Sequence, residues 1–298
     1  MSEQASSSKL GVAESDREQW RAAVAGVLAK SRRTDPADLG AQPEQLLDSA
    51  TYEGFPIRPL YTILDSQPEP PLPGRWPFIR GGDATRDVKA GWKVAETFPL
   101  PGQATAGEGN GTVLGALTEG TSALVLRVGG NDGVPAAHLD QLLEGVFLEL
   151  VPVVLDAGDE FAAASRAVLS LLGGLDADRR GRLSVDLGAD PLTAPLSGRS
   201  APSVDEVLTT ADEARGHGAG VRSVTVDGPA FHDLGASASW ELGAAVAAGV
   251  AYLRLLTDHG LTAADALRQI SFRFAADDAA ELPASSPRPP VRGVTTII

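Results

Sequence analysis

The chain has 298 residues, a formal charge of −14, 43% hydrophobic residues and no cysteine. Its length and apolar content allow one large core or two ordinary domains, while its negative charge repels phosphate backbones and anionic lipid, excluding nucleic-acid and membrane-surface binding as a general role. The missing thiols remove disulfides, cysteine nucleophiles and thiolate-held zinc or iron–sulfur centres. Near the N-terminus, Glu3, Glu14, Asp16 and Glu18 interrupt every apolar stretch, which argues against a signal peptide, a transit peptide or a membrane span and makes the cytoplasm the expected compartment.

Residues 1–33 read as a polar tail followed by a helix. Ser15 and Glu18 form a capping box ahead of Trp20, Val24, Val27 and Leu28 at helical spacing, so the helix is expected to begin near Asp16. Residues 34–111 carry prolines at 36, 43, 56, 59, 68, 70, 71, 73, 77, 99 and 101, a density that forbids long helices. Tyr52, Phe55, Tyr61, Trp76, Phe78 and Trp92 are too apolar for a free linker, so this arm is expected to lie against another surface.

From residue 112 the pattern alternates. Strands are expected near 123–128, 150–155, 182–187, 222–227 and 270–275, and helices near 135–147, 159–172, 203–216, 238–256 and 262–269. Capping boxes at Ser203/Glu206 and Thr262/Asp265 mark helix starts. Repeated strand–helix units imply a parallel sheet, either an open doubly wound sheet or part of a (β/α)8 barrel.

Most polar residues that invite a chemical role have plainer readings. Gly107, Gly109 and Gly111 lack both the spacing and the preceding strand of a phosphate loop, and read as a flexible turn. Asp65, Asp83 and Asp87 have no metal-loop spacing, so no metal is expected. His138, His217 and His259 read as structural. His232 reads as a hydrogen-bonded histidine at a strand's carboxyl end, with pocket lining as its functional alternative. Arg58, Arg75 and Arg80 accompany aromatics, which suits cation–π packing or contact with a partner's carboxylates.

Several words of sequence carry a family resemblance: FPIRPLYT (55–62), LPGRWPFIRG (72–81), AGWKVAETF (90–98), VLGALTEGTSALVLRV (113–128), the run from Val224 to Leu256, and ISFRFAADD (270–278). Together they resemble methylmalonyl-CoA mutases, most closely the front half of the non-catalytic small subunit. The resemblance implies a (β/α)8 barrel threaded by an acyl-CoA, with cobalamin docking over its carboxyl-end rim from a separate downstream domain. Where catalytic subunits carry substrate-gripping tyrosine and arginine, this chain has Asp83, Thr85, Arg86 and Asp87, then Ala90, Gly91, Trp92, Val94, Ala95, Glu96 and Thr97. The family's thioester-binding histidine falls on Ala230, and none of the four histidines follows the Asp-x-His pattern of the cobalamin ligand.

The reading is therefore an incomplete barrel of about five βα units over 112–278, preceded by a helix and an arm and followed by a non-family tail over 279–298. The resemblance stops at Asp278, and an interruption within the barrel, for instance by a frame change, is the expected cause. An unfinished barrel should leave the strand near 270–275 as an open edge, and Leu253, Leu255 and Leu256 poorly covered.

By resemblance, Arg80, Thr85, Trp92, Phe231 and His232 are candidate substrate contacts, and Arg58, Tyr61, Trp76 and Phe78 a candidate partner interface. The expected function is that of a non-catalytic subunit. No catalytic residue, metal or cofactor is expected on the chain itself; adenosylcobalamin belongs to a catalytic partner in a heterodimer. A catalytic acyl-CoA mutase with a divergent site, or an interaction module without ligand, are the alternatives.

Overall fold

The computed structural model describes residues 2–51, 53–85, 89, 91–103, 105–275 and 294–297. The chain divides into two compact units, 1–91 and 92–298.

The first unit opens with α1 (Ser2–Arg32), which starts well before Asp16. The first proline is Pro36, so nothing upstream forbids the helix from propagating past the capping box. Helix α1 packs on the short turns that follow it, and Arg21 bonds Glu44 at 2.5 Å. A small antiparallel ribbon, β1 (Ser49–Ala50) with β2 (Pro56–Ile57), turns through Gly54 at φ +82°. Beyond it, residues 72–81 close on themselves: Gly74 N–H donates to Gly81 O at 2.8 Å, and Phe78 N–H to Arg75 O at 2.7 Å.

The second unit is a sheet with its helices on the crossovers. In chain order it contains β3 (Ala95–Phe98), α2 (Ala106–Glu119), β4 (Ala123–Arg127), α3 (Leu139–Leu142), β5 (Val153–Asp156), α4 (Phe161–Gly173), α5 (Ala177–Arg180) and β6 (Val185–Ala189). There follow α6 (Val204–Ala214), β7 (Val221–Asp227), α7 (Pro229–Asp233), α8 (Ala238–Asp258), α9 (Ala263–Arg268), β8 (Ile270–Ala275) and β9 (Val294–Ile297). Strands β3 to β8 are parallel and lie side by side in chain order. This order separates the two sheet types left open by periodicity. A doubly wound sheet reverses direction partway, whereas five successive crossovers, each to the next neighbour, curl the sheet into a partial barrel.

Four local expectations change. The parallel strands number six, because β3 and α2 belong to the sheet unit although they fall in the proline-rich stretch; Phe98 is fully buried and α2 begins with a capping box, Thr105 with Glu108. The glycines at 107, 109 and 111 lie in this helix, and a Cβ on Gly109 would stand 2.7 Å from Leu142 Cδ1, so this glycine permits close packing against α3. The helix expected over 135–147 shrinks to a 3-10 turn and the four-residue α3. Finally, β8 is not an open edge, since β9 pairs with it antiparallel, Phe272 opposite Ile297 and Phe274 opposite Thr295.

The core lies between the sheet and its helices. Phe98, Leu124, Leu126, Val153 and Leu187 from the strands meet Val113, Leu142, Phe161 and Leu172 from α2, α3 and α4, all at most 2% exposed. Each such side chain contributes about 1.5–3 kcal/mol by leaving water. Leu256 is covered too, packed with Ala211, Leu261 and Ala266, and Leu253 rests against that cluster. The apolar surface left open on α8 is instead Trp240, Leu242, Val246 and Val250.

Candidate functional site

Barrels of this kind place their chemistry at the carboxyl ends of the strands. Here three successive strands end at or next to an aspartate: Asp156 closes β5, Asp190 follows β6 and Asp227 closes β7. Strand β8 adds Arg273, in register with Asp227. The loop between β6 and α6 supplies Arg199.

Asp190 is the hub. Its position depends on a break in β6, where Gly188 takes φ +81° and the register with β7 shifts between Asp186 and Ala189. A Cβ at Gly188 would lie 2.0 Å from Leu155 O, so only glycine fits. The Asp190 carboxylate, 3% exposed, accepts from Tyr252 Oη at 2.6 Å, Asp227 N–H at 2.8 Å, Thr193 N–H at 3.1 Å and the Thr193 hydroxyl. Burial and this carboxylate push the Tyr252 hydroxyl far above its usual range, which keeps it a donor. Tyr252 in turn accepts from Leu192 N–H at 2.9 Å, tying α8 to the loop after β6.

Asp227 is shared by two arginines. Arg199 Nη2 bonds its Oδ2 at 2.5 Å and Arg273 Nη1 lies 3.6 Å from its Oδ1, while Arg199 Nη1 also reaches to 3.8 Å from Asp156. Arg199 and Arg273 are thus held by the chain's own carboxylates. A cleft of about 20 Å³ between Asp156, Asp190, Arg199 and Ser200 has room for about one water.

Burial raises the Asp227 carboxyl above its ordinary 3.8; Arg273 and Arg199 pull against this shift, and Asp190 and Asp156 add to it. The native state therefore holds the proton more tightly than the unfolded chain. This contribution is most favourable below pH 3.8 and is lost as pH rises through the folded value. Asp227→Asn should flatten the dependence of stability on pH just above pH 4, measured as urea midpoints across that range; an unchanged slope would count against the shift.

Beside this network, His232 Nδ1 lies 3.5 Å from Glu241 Oε2, whose other oxygen accepts from Ala275 N–H at 2.7 Å. The imidazole is 7% exposed and its Nε2 is buried without a partner among the described residues. Glu241 stands nine residues beyond His232, and only the turn into α8 brings it back. Sequence reasoning missed Asp156, Asp190, Arg199, Asp227, Arg273 and Tyr252. The recurring aspartate at strand ends, in VVLD, GAD and TVD, was the available signal.

Of the five candidate substrate contacts, Phe231 and His232 are neighbours on α7. Trp92 is 88% exposed ahead of β3. Arg80 pairs with Glu69 at 3.5 Å, and Thr85 bonds Asp83 through its N–H and hydroxyl, both in the first unit.

The four candidate interface residues form two local pairs. Arg58 stacks over Tyr61 at 4.7 Å while bonding Asp65 at 2.6 Å, and Trp76 meets Phe78 edge to face at 5.8 Å. The Thr62 N–H and then Arg58 hold the Asp65 carboxyl below its usual range.

No described helix is long and apolar enough to cross a membrane, and the described residues contain no cluster suited to a metal ion.

Comparison with known proteins identifies the family. Residues 130–280 match the family model described as methylmalonyl-CoA mutase. A protein named "Probable methylmalonyl-CoA mutase small subunit" from Mycobacterium tuberculosis (strain ATCC 25618 / H37Rv) is 60% identical over 262 residues, covering 88% of this chain and 42% of that protein. The methylmalonyl-CoA mutase small subunit of Streptomyces virginiae is 39% identical over 263 residues, covering 87% and 41%. That of Propionibacterium freudenreichii subsp. shermanii is 29% identical over 259 residues, covering 87% and 40%. The chain thus spans about two fifths of the length of the curated relatives it matches.

Proposed function

The chain belongs to the methylmalonyl-CoA mutase family, and from that premise we propose that it acts as a non-catalytic small subunit in the cytoplasm. It supports, as a heterodimer, a catalytic subunit that holds adenosylcobalamin and turns over the acyl-CoA. The observation that carries this reading is the state of the rim: Arg199 and Arg273 are engaged by Asp227 and Asp156, so neither of these two cations is free to grip a thioester or phosphate. The positions where the family resemblance would place gripping groups hold Ala95, Thr97 and Ala230.

His232 lacks the aspartate two residues ahead that marks the family's cobalamin ligand, since position 230 is Ala. Partner binding is supported by the 72–81 loop. Its hydrogen bonds hold Leu72, Trp76, Phe78 and Ile79 outward at 66%, 80%, 47% and 64% exposure. A pre-formed loop carrying exposed aromatics is suited to anchoring in an apolar pocket of another chain.

The test uses the purified chain and a tagged catalytic mutase subunit. The chain alone, given adenosylcobalamin and methylmalonyl-CoA, should form no succinyl-CoA, and it should co-purify with the tagged subunit. Replacing both Trp76 and Phe78 by Ala should weaken that association by about tenfold or more, the scale of an interface anchor. Turnover by the chain alone, or an association insensitive to the double substitution, would overturn the reading.

A further inference from the structure

Strand β9 occupies the place where the next parallel strand of a barrel would pair. The hydrogen bonds of β8 show which of its groups face that side. Val224 N–H donates to Gln269 O at 2.9 Å and Gly228 N–H to Arg273 O at 3.0 Å, so the odd-numbered backbone groups of this stretch face β7. Ala275 N–H, also odd-numbered, is taken by Glu241 at 2.7 Å. Within a strand, the N–H and C=O of one residue point to one side and those of the next residue to the other. The groups of Ile270, Phe272 and Phe274 are therefore the ones turned away from β7.

The pairing of β9 meets them in register. Phe272 stands opposite Ile297 and Phe274 opposite Thr295, with Arg273 opposite Thr296 between them. The first and last of these are hydrogen-bonded pairs by the alternation of an antiparallel ladder, and the middle one is not. The sequence of β9 is Val294-Thr295-Thr296-Ile297, four β-branched residues in a row, the side-chain type best suited to a strand. Its antiparallel direction sets it apart from β3 to β8, so it cannot be a seventh barrel strand.

We propose that β9 is a built-in edge guard: a later segment of the same chain satisfies the Phe272 and Phe274 backbone groups that would otherwise template pairing with another polypeptide. An unguarded edge of a parallel sheet is a site of uncontrolled association. The guard also competes with any chain that would add a strand at β8.

Amide exchange read residue by residue tests this, because the two sides of β8 report separately. In the unmodified chain, Phe272 and Phe274 should be protected as Ser271 and Arg273 are. Thr295→Pro removes the N–H directed at Phe274 O; exchange at Phe272 and Phe274 should rise about tenfold or more, the scale of one lost ladder bond, while Ser271 and Arg273 keep their protection. A chain ending at residue 293 should behave the same way, and both variants should sediment as concentration-dependent larger species. Free-edge exchange at Phe272 and Phe274 in the unmodified chain would overturn the proposal. So would an equal rise at all four amides, or variants that remain monomeric.

Discussion

Asp190→Ala should lower the unfolding free energy by about 3–5 kcal/mol, the cost of breaking a buried charged cluster by removing one partner. The size follows from the number of donors that would lose their acceptor. Tyr252 Oη, the Asp227 N–H and both Thr193 donors converge on this one carboxylate, and each buried group left unpaired costs about 1–3 kcal/mol. Water cannot repair them, because Asp190, Asp227, Thr193 and Tyr252 are at most 4% exposed. Thr193→Val, which removes one donor and leaves the carboxylate satisfied, should cost only about 1 kcal/mol. Denaturant midpoints at constant slope measure both. A loss below about 1.5 kcal/mol for Asp190→Ala would mean that the hub does not hold the strand ends together.

Gly188→Ala is expected to cost about 3 kcal/mol or more despite adding one methyl group. Two effects combine. A residue with a Cβ pays about 1–2 kcal/mol at φ +81°, and that Cβ would lie 2.0 Å from Leu155 O, a backbone atom that cannot swing aside. Strands β5 and β6 would have to part at Leu155, and overpacking of a core costs a further 1–3 kcal/mol or so. Gly198→Ala isolates the first effect. Its φ is +69° but nothing lies within 4 Å of the added atom, so about 1 kcal/mol is expected. Since the Gly188 break also aims Asp190, the Gly188→Ala/Asp190→Ala double variant should lose less than the two losses added. Full additivity would show that the break and the hub are independent.

The strand and helix alternation after residue 120 was legible because it rests on local physics. Apolar periodicity, the Ser203 and Thr262 caps and the first proline at Pro36 act within a few residues of themselves. The chemistry that composition excluded, thiol-based above all, was settled by residue counts alone. The family resemblance also lay in the sequence, in words such as LPGRWPFIRG.

Other features depend on residues far apart in the chain meeting in space, and there only the tertiary structure decided. Strand β3, amid prolines, is a strand because Ala95 to Phe98 find Ala123 to Leu126 alongside. Gly109 of α2 packs closely because its missing Cβ lets Leu142 approach. The partial barrel, as against a doubly wound sheet, follows from strand order, which hydrophobic periodicity does not encode. Asp190, Asp227 and Tyr252, up to 62 residues apart, share hydrogen bonds that no spacing rule could foretell, and β9 is a strand because Val294 to Ile297 find Phe272 to Ala275 alongside.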